Sequence, residues 1–136
     1  MIPDRYAPHV YSIFRIVFGM MFLSHGLQKI FGMFGGFAMF GGQLPSLTSQ
    51  LGIAGMLELA LGLLIMVGLF TRVAAFLASG EMAVAYFKAH QRTALWPLEN
   101  QGEAAVLFCF AFLYMAARGS GPWSLDALVR GKRRTL

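Results

Sequence analysis

The chain has 136 residues, of which 57% are apolar, 14% aromatic and only 12% charged, and its mean hydropathy is +0.63. Soluble domains carry about 25% charged residues, so this balance excludes an ordinary water-soluble globule, and the length suits a single structural unit. The net charge of +5 does not point to nucleic acid, because four of the eleven Lys and Arg residues lie in the last seven positions, where they read as a cytoplasmic membrane flank.

In chain order, the first apolar stretch covers about residues 10–31. It contains Arg15 and has no small-residue cleavage site behind a short apolar core, so it is expected to stay in the mature chain rather than act as a signal peptide. Gly32, Gly35, Gly36, Gly41, Gly42 and Pro45 break the chain over 32–49. That loop is uncharged and holds Met33, Phe34, Phe37, Met39 and Phe40; it reads equally as a segment in the membrane interface or re-entering the bundle mouth, and as a Gly-rich linker. Further apolar stretches follow at 50–71, 72–90 and 102–118, separated by a tight turn at Thr71-Arg72 and by Pro97, Asn100 and Gly102. Each is close to the ~20 residues that cross ~30 Å of hydrocarbon as helix. Because lipid offers the backbone no hydrogen-bond partners, helices are the natural reading. The expectation is an all-α, integral membrane four-helix bundle forming one domain over 1–136. A short amphipathic segment at about 122–130 precedes the Gly131–Arg134 basic run, suited to anionic lipid or to docking a soluble partner.

Four crossings put both termini on one side. Arg5, Arg15, Arg72, Arg118, Arg130, Lys132, Arg133 and Arg134 fall on or near that side, against Lys29, Lys88 and Arg92 opposite. The excess predicts cytoplasmic termini in a bacterial inner membrane.

Ionisable residues inside apolar spans cost at least ~2.5 kcal/mol each on insertion scales, so they carry the functional information. At 1.5 Å per residue, Glu58 sits ~12 Å below the outer end of its helix, Glu81 ~14 Å above the inner end of its own, and His25 ~21 Å from the inner side, which places all three in one mid-to-outer layer. At about 100° per residue, Arg15, Gly19, Phe22, Gly26 and Lys29 form one stripe with His25 on its flank. Glu58 shares a face with Gly55, Gly62, Ile65 and Leu69, and Glu81 with Ala74, Ala78, Ala85 and Lys88; on the fourth helix Glu103, Leu107, Phe110 and Tyr114 align. The predicted inward set is Arg15, His25, Lys29, Glu58, Glu81, Glu103 and Tyr114. Two readings stand. These groups are salt-bridged pins, Arg15 with Glu81 and Lys29 with Glu58 or Glu103, or a His and two carboxylates move protons and grip the head of an amphipathic ligand. The outer rim adds Tyr86, Lys88, His90, Arg92, Trp96, Asn100 and Glu103; Trp96 and Tyr86 fit a membrane-interface belt, and Asn100 to Glu103 a helix start. His90 and His25 on separate helices do not make a specific metal motif, and no metal is assigned.

Cys109 is the single cysteine, which leaves no intramolecular disulfide or CxxC pair. The chain has no P-loop, no dinucleotide-binding GxGxxG, no serine elbow and no HExxH. No cofactor is built in, so any redox role needs electrons from another protein.

Phe14-Arg15-Ile16, the run His25-Gly26-Leu27-Gln28-Lys29-Ile30-Phe31-Gly32, Gly55-Met56-Leu57-Glu58, Gly68-Leu69-Phe70-Thr71-Arg72, Gly80-Glu81-Met82 through Phe87, and Asn100-Gln101-Gly102-Glu103 together resemble the DoxX family over about residues 10–130. In Glu99-Asn100-Gln101-Gly102-Glu103 the chain departs from the pair of glycines often found before the acid. The resemblance implies a four-helix membrane protein related to the small subunit of thiosulfate:quinone oxidoreductase and to membrane components of thiol and oxidative-stress systems. It places the family's polar signature on Arg15, His25, Lys29, Glu58, Arg72, Glu81, His90, Asn100 and Glu103.

Two classes of function follow. One is a membrane subunit of a quinone-linked redox system, with quinone as an external ligand, Glu81 and Glu58 carrying protons, His25 bonded to a quinone oxygen, and Arg15 and Lys29 stabilising charge. The other is a non-catalytic accessory subunit of a larger membrane complex. A small-molecule permease is a third and weaker class, because four helices are few and no broken helix is visible. The implied partners are membrane lipids and other membrane or redox subunits, and no nucleic acid.

Overall fold

The computed structural model describes residues 3–36 and 41–134, and among these every regular element is helical. After a 3-10 turn at Asp4–Tyr6, α1 spans Ala7–Phe31, α2 Gln50–Val67, α3 Thr71–Ala85, α4 Glu103–Arg118 and α5 Leu125–Arg134, with a π-helical turn, Tyr86–His90, prolonging α3. Two segments are long and apolar enough to cross a membrane, Asp4–Phe31 and Gln50–Val67. The 16 residues of α4 are roughly 24 Å long at 1.5 Å per residue, short of a ~30 Å hydrocarbon layer. Phe37, Met39 and Phe40, the core of the proposed re-entrant loop, lie outside the described residues, as do the side chains of Lys132, Arg133 and Arg134.

Helix boundaries follow local chemistry. The Ser49 hydroxyl accepts from Gly52 N–H at 3.1 Å and starts α2. The second helix was expected to run to residue 71 but stops at Val67, because Gly68 adopts φ +73° and its N–H bonds back to the Leu64 and Ile65 carbonyls. Phe70, also left-handed at φ +50°, then launches α3. The exposed N–H groups of that start are capped from far along the chain: Asp126 on α5 accepts from Phe70 N–H at 3.0 Å and Thr71 N–H at 3.1 Å, while its own N–H donates to Gly68 O at 2.9 Å. The amphipathic C-terminal helix is therefore fastened to the α2–α3 turn. Asp126→Ala is expected to lose about 1–2 kcal/mol through the missing cap and to speed tryptic cleavage after Arg130; cleavage at the parental rate would contradict this fastening.

α1 packs along α2, and α3 along α4. The first pairing is a glycine zipper in which Gly19 and Gly26 face Gly55 and Gly62. A Cβ built on Gly26 would lie 2.5 Å from Leu59 N, and one on Gly62 would lie 2.5 Å from Leu23 N, so backbone meets backbone there. The second pairing sets Ala74, Ala75, Ala78 and Met82 against Phe108, Phe112 and Met115, all buried, with Ser79 Oγ donating to Cys109 O at 2.8 Å. Phe22 stacks edge-on to Phe112 with ring centroids 4.8 Å apart, which joins the two pairs.

The buried faces match the expected stripes on α1 and, through Ile65, on α2, where Leu69 falls beyond the end of the helix, and they differ on α4. There the predicted inward row of Leu107, Phe110 and Tyr114 is exposed, and Ala105, Phe108, Phe112 and Met115 are buried instead. Because α4 is apolar all round, its periodicity holds no signal for which side faces the partner helices.

Candidate functional site

The approach of α2 to α3 is looser than the two pairings on either side of it, and a cavity of about 510 Å³ opens between them. Small residues make the room: nothing lies within 4 Å of a Cβ built on Gly80. Leu57, Leu61, Leu77 and Val84 supply apolar wall, and the polar groups are Lys29, Glu58, Glu81, Gln50 and Lys88.

Lys29 reaches across from the last turn of α1, where Gly55 leaves space for its stem, and its Nζ donates to Glu58 Oε1. This is one of the ion pairs anticipated from the sequence. Glu58 is 3% exposed, and its second oxygen has no partner among the described residues; neither has either oxygen of Glu81. Glu81 lies within electrostatic reach of both Glu58 and Lys29. Lys29, Glu58 and Glu81 thus line a largely apolar space, and three of the four carboxylate oxygens are buried without a hydrogen-bond partner among the described residues. Unpaired buried polar atoms are rare and call for an explanation. Such a cavity suits an amphipathic molecule with a compact oxygen-bearing head, as ligand pockets join apolar walls to a few convergent polar groups.

The remaining candidates lie elsewhere. His25 is exposed on the flank of α1, its ring edge-on to Phe108 of α4 at 5.9 Å, and it does not line the cavity. The glycine stripe turns α1 toward α2 and so leaves His25 on the other side. Arg15 does not pair with Glu81. Fully buried, it donates from Nε to Ser120 O at 2.8 Å, from Nη1 to Ile65 O at 2.5 Å and Met66 O at 2.6 Å, and from Nη2 to Trp123 O. It thus gathers the end of α2 and the segment before α5 around α1. Arg72 similarly donates to the last carbonyls of α4, Ala116 O at 3.0 Å and Ala117 O at 2.6 Å. At the other end, His90 Nδ1 lies 3.0 Å from Asn100 O, and Asn100 bonds Tyr86 Oη, Ala94 O and Gly102 N–H. These contacts tie the π-helical turn to the loop before α4. Glu103 is exposed in the first turn of α4, at the positive end of the helix. Among the described residues no three His, Cys, Asp or Glu side chains are grouped to hold a metal.

Sequence reasoning left Gln50 and Lys88 out of the site. The signal for Lys88 was present, since it stands seven residues after Glu81 and so on the same helical stripe. Gln50 had none, being placed by the α2–α3 separation.

Comparison with known proteins agrees with the motifs. The chain is 37% identical over 126 residues to an uncharacterized protein of Haemophilus influenzae, covering 90% of this chain and 92% of that one. No solved structure matches it. The DoxX family model matches residues 10–91, a stretch that includes Arg15, the Lys29–Glu58 pair and Glu81, and the protein is a member of the DoxX family.

Proposed function

We propose that this DoxX membrane protein is the membrane subunit of a quinone-linked redox system, and that the α2–α3 cavity receives the quinone head. The observation that carries the reading is the set of three buried carboxylate oxygens without a protein donor, on two residues that line an apolar cavity beside Lys29. In this reading all four helices α1–α4 cross the bacterial cytoplasmic membrane with both termini inside, the π-helical turn lengthening α3 to reach the outer face. Exposed apolar side chains such as Val17 and Met20 on α1, Phe76 on α3 and Phe110 on α4 suit a lipid surround. A bound quinone supplies the two-electron chemistry, and a partner subunit supplies the electrons. Lys29 would hold the quinone head by a hydrogen bond, Glu81 and Glu58 would hold and exchange the protons that quinone reduction takes up, and Lys88 and Gln50 line the same cavity. His25 and Arg15, placed away from it, have no part in the chemistry.

The test is titration of decylubiquinone into the purified protein in nanodiscs. Glu81→Gln is expected to weaken binding about tenfold, the scale of one hydrogen bond to a charged group. Gly80→Leu, which fills the cavity without changing charge, should abolish binding. Unaltered affinity in both variants sinks the quinone reading. The accessory-subunit reading is supported by Arg15 and Arg72, whose guanidinium groups bond backbone carbonyls. It predicts that Glu81→Gln leaves the activity per assembled complex unchanged.

A further inference from the structure

At the opposite end of the molecule from Lys29 and Glu58, a second cavity of about 640 Å³ lies where α3, α4 and α5 meet. Each of the three helices contributes one arginine, Arg72, Arg118 and Arg130, and Gly119, Ser120 and Gly121 complete the lining with Ala127 and Gly131. Among the described residues no carboxylate lines it. The acid nearest in sequence to Arg130, Asp126, has its two oxygens on the Phe70 and Thr71 N–H groups, and the one salt bridge among the described residues is Lys29–Glu58 at the far end.

The three guanidinium groups are held in place by neutral partners. Arg72 is fixed by the α4 carbonyls, including Arg118 O at 3.3 Å from its Nη2. Arg118 donates to Tyr114 Oη at 2.9 Å and lies 4.5 Å over the Tyr11 ring. Arg130 donates to Ser120 Oγ at 3.3 Å. A guanidinium carries five N–H donors, so these contacts leave donors on all three free to meet a ligand. Three cations around one cavity repel one another unless an anion joins them, and forked donors match an anion with several oxygens.

The geometry points to a phosphate-binding site, built by Arg72, Arg118 and Arg130 and set at the depth of membrane headgroups. The depth follows from α5, which presents Leu128 and Val129 outward while Trp123 stands exposed just before it, as in helices that lie on a membrane surface. The phosphate is that of an anionic phospholipid headgroup or of a free phosphate compound. This site is independent of the quinone reading.

Native mass spectrometry of the intact protein, released from nanodiscs containing phosphatidylglycerol or phosphatidylcholine of the same chain length, tests it. Phosphatidylglycerol should be retained at least fivefold more than phosphatidylcholine. Arg130→Gln should remove that preference, and Arg5→Gln, which deletes a charge outside the cavity, should keep it. Arg118→Gln should repeat the loss, and melting curves establish that each variant is folded. In a second arm, inorganic phosphate added to delipidated protein should raise the melting temperature of the parent and not of Arg130→Gln if the ligand is free phosphate. Absence of both effects overturns the site, and so does equal loss of lipid in Arg5→Gln and Arg130→Gln, because binding would then be diffuse electrostatics.

Discussion

Arg15→Met is expected to lower the melting temperature of the detergent-purified protein by roughly 10 °C, the equivalent of a ~3–5 kcal/mol loss for breaking a buried charged network. The side chain is fully buried and bonds four backbone carbonyls, those of Ile65, Met66, Ser120 and Trp123. Methionine fills much of the volume and satisfies none of them, so each carbonyl keeps its desolvation penalty without a donor. Arg15→Lys should recover little. A lysine ammonium donates from one point, whereas the guanidinium fork reaches the α2 end and the 120–123 segment in opposite directions. If Arg15 acted on a ligand instead, Arg15→Met would leave the melting temperature near that of the parent.

The second large effect is expected at the α1–α2 interface. Gly26→Ala places a methyl 2.5 Å from Leu59 N and 2.8 Å from Gly55 O, where backbone must move because no flexible side chain can yield. Overpacking of this kind costs about 1–3 kcal/mol, and the separation it forces also pulls Lys29 away from Glu58. Gly80→Ala is the matched comparison. With nothing within 4 Å of its built Cβ, it should keep or raise stability by up to ~1 kcal/mol from helix propensity alone. Thermal melting of the two variants side by side checks this, and a Gly26→Ala protein as stable as Gly80→Ala would rule out the close helix contact.

The two pairs of helices behave differently under sequence reading. On α1 and α2 the polar and small residues are sparse and sit in apolar helices, so a 100° rotation per residue identified the stripe of Arg15, Gly19, Phe22 and Gly26 and the facing stripe of Gly55, Glu58 and Gly62. For Lys29 the sequence offered Glu58 or Glu103, and the structure pairs it with Glu58. On α4 the same arithmetic chose the row of Glu103 and Tyr114, because the helix is apolar on its exposed and its buried side alike. Which apolar face turns inward is set by the shape fit of Phe108 and Phe112 against Phe22 and the alanines of α3, and no periodicity encodes that fit.

By itself the amino-acid sequence determined the all-helical class, the break after the first helix at Gly32 and the start of the second at residue 50, the membrane character, the family, and the list of ionisable residues worth following. Those properties depend on local propensity and on the cost of charge in an apolar chain, both of which are written residue by residue. Only the tertiary structure decided which of the ionisable groups meet. It brought Lys29, Glu58 and Glu81 to one cavity, sent His25 to the opposite flank, and turned Arg15 onto carbonyls from residues 65, 66, 120 and 123. It also assembled the three arginines at the other end of the molecule. The physical reason is that a side chain's partners are fixed by how closely helices approach and at what rotation, and here glycine contacts and aromatic packing between distant segments set both.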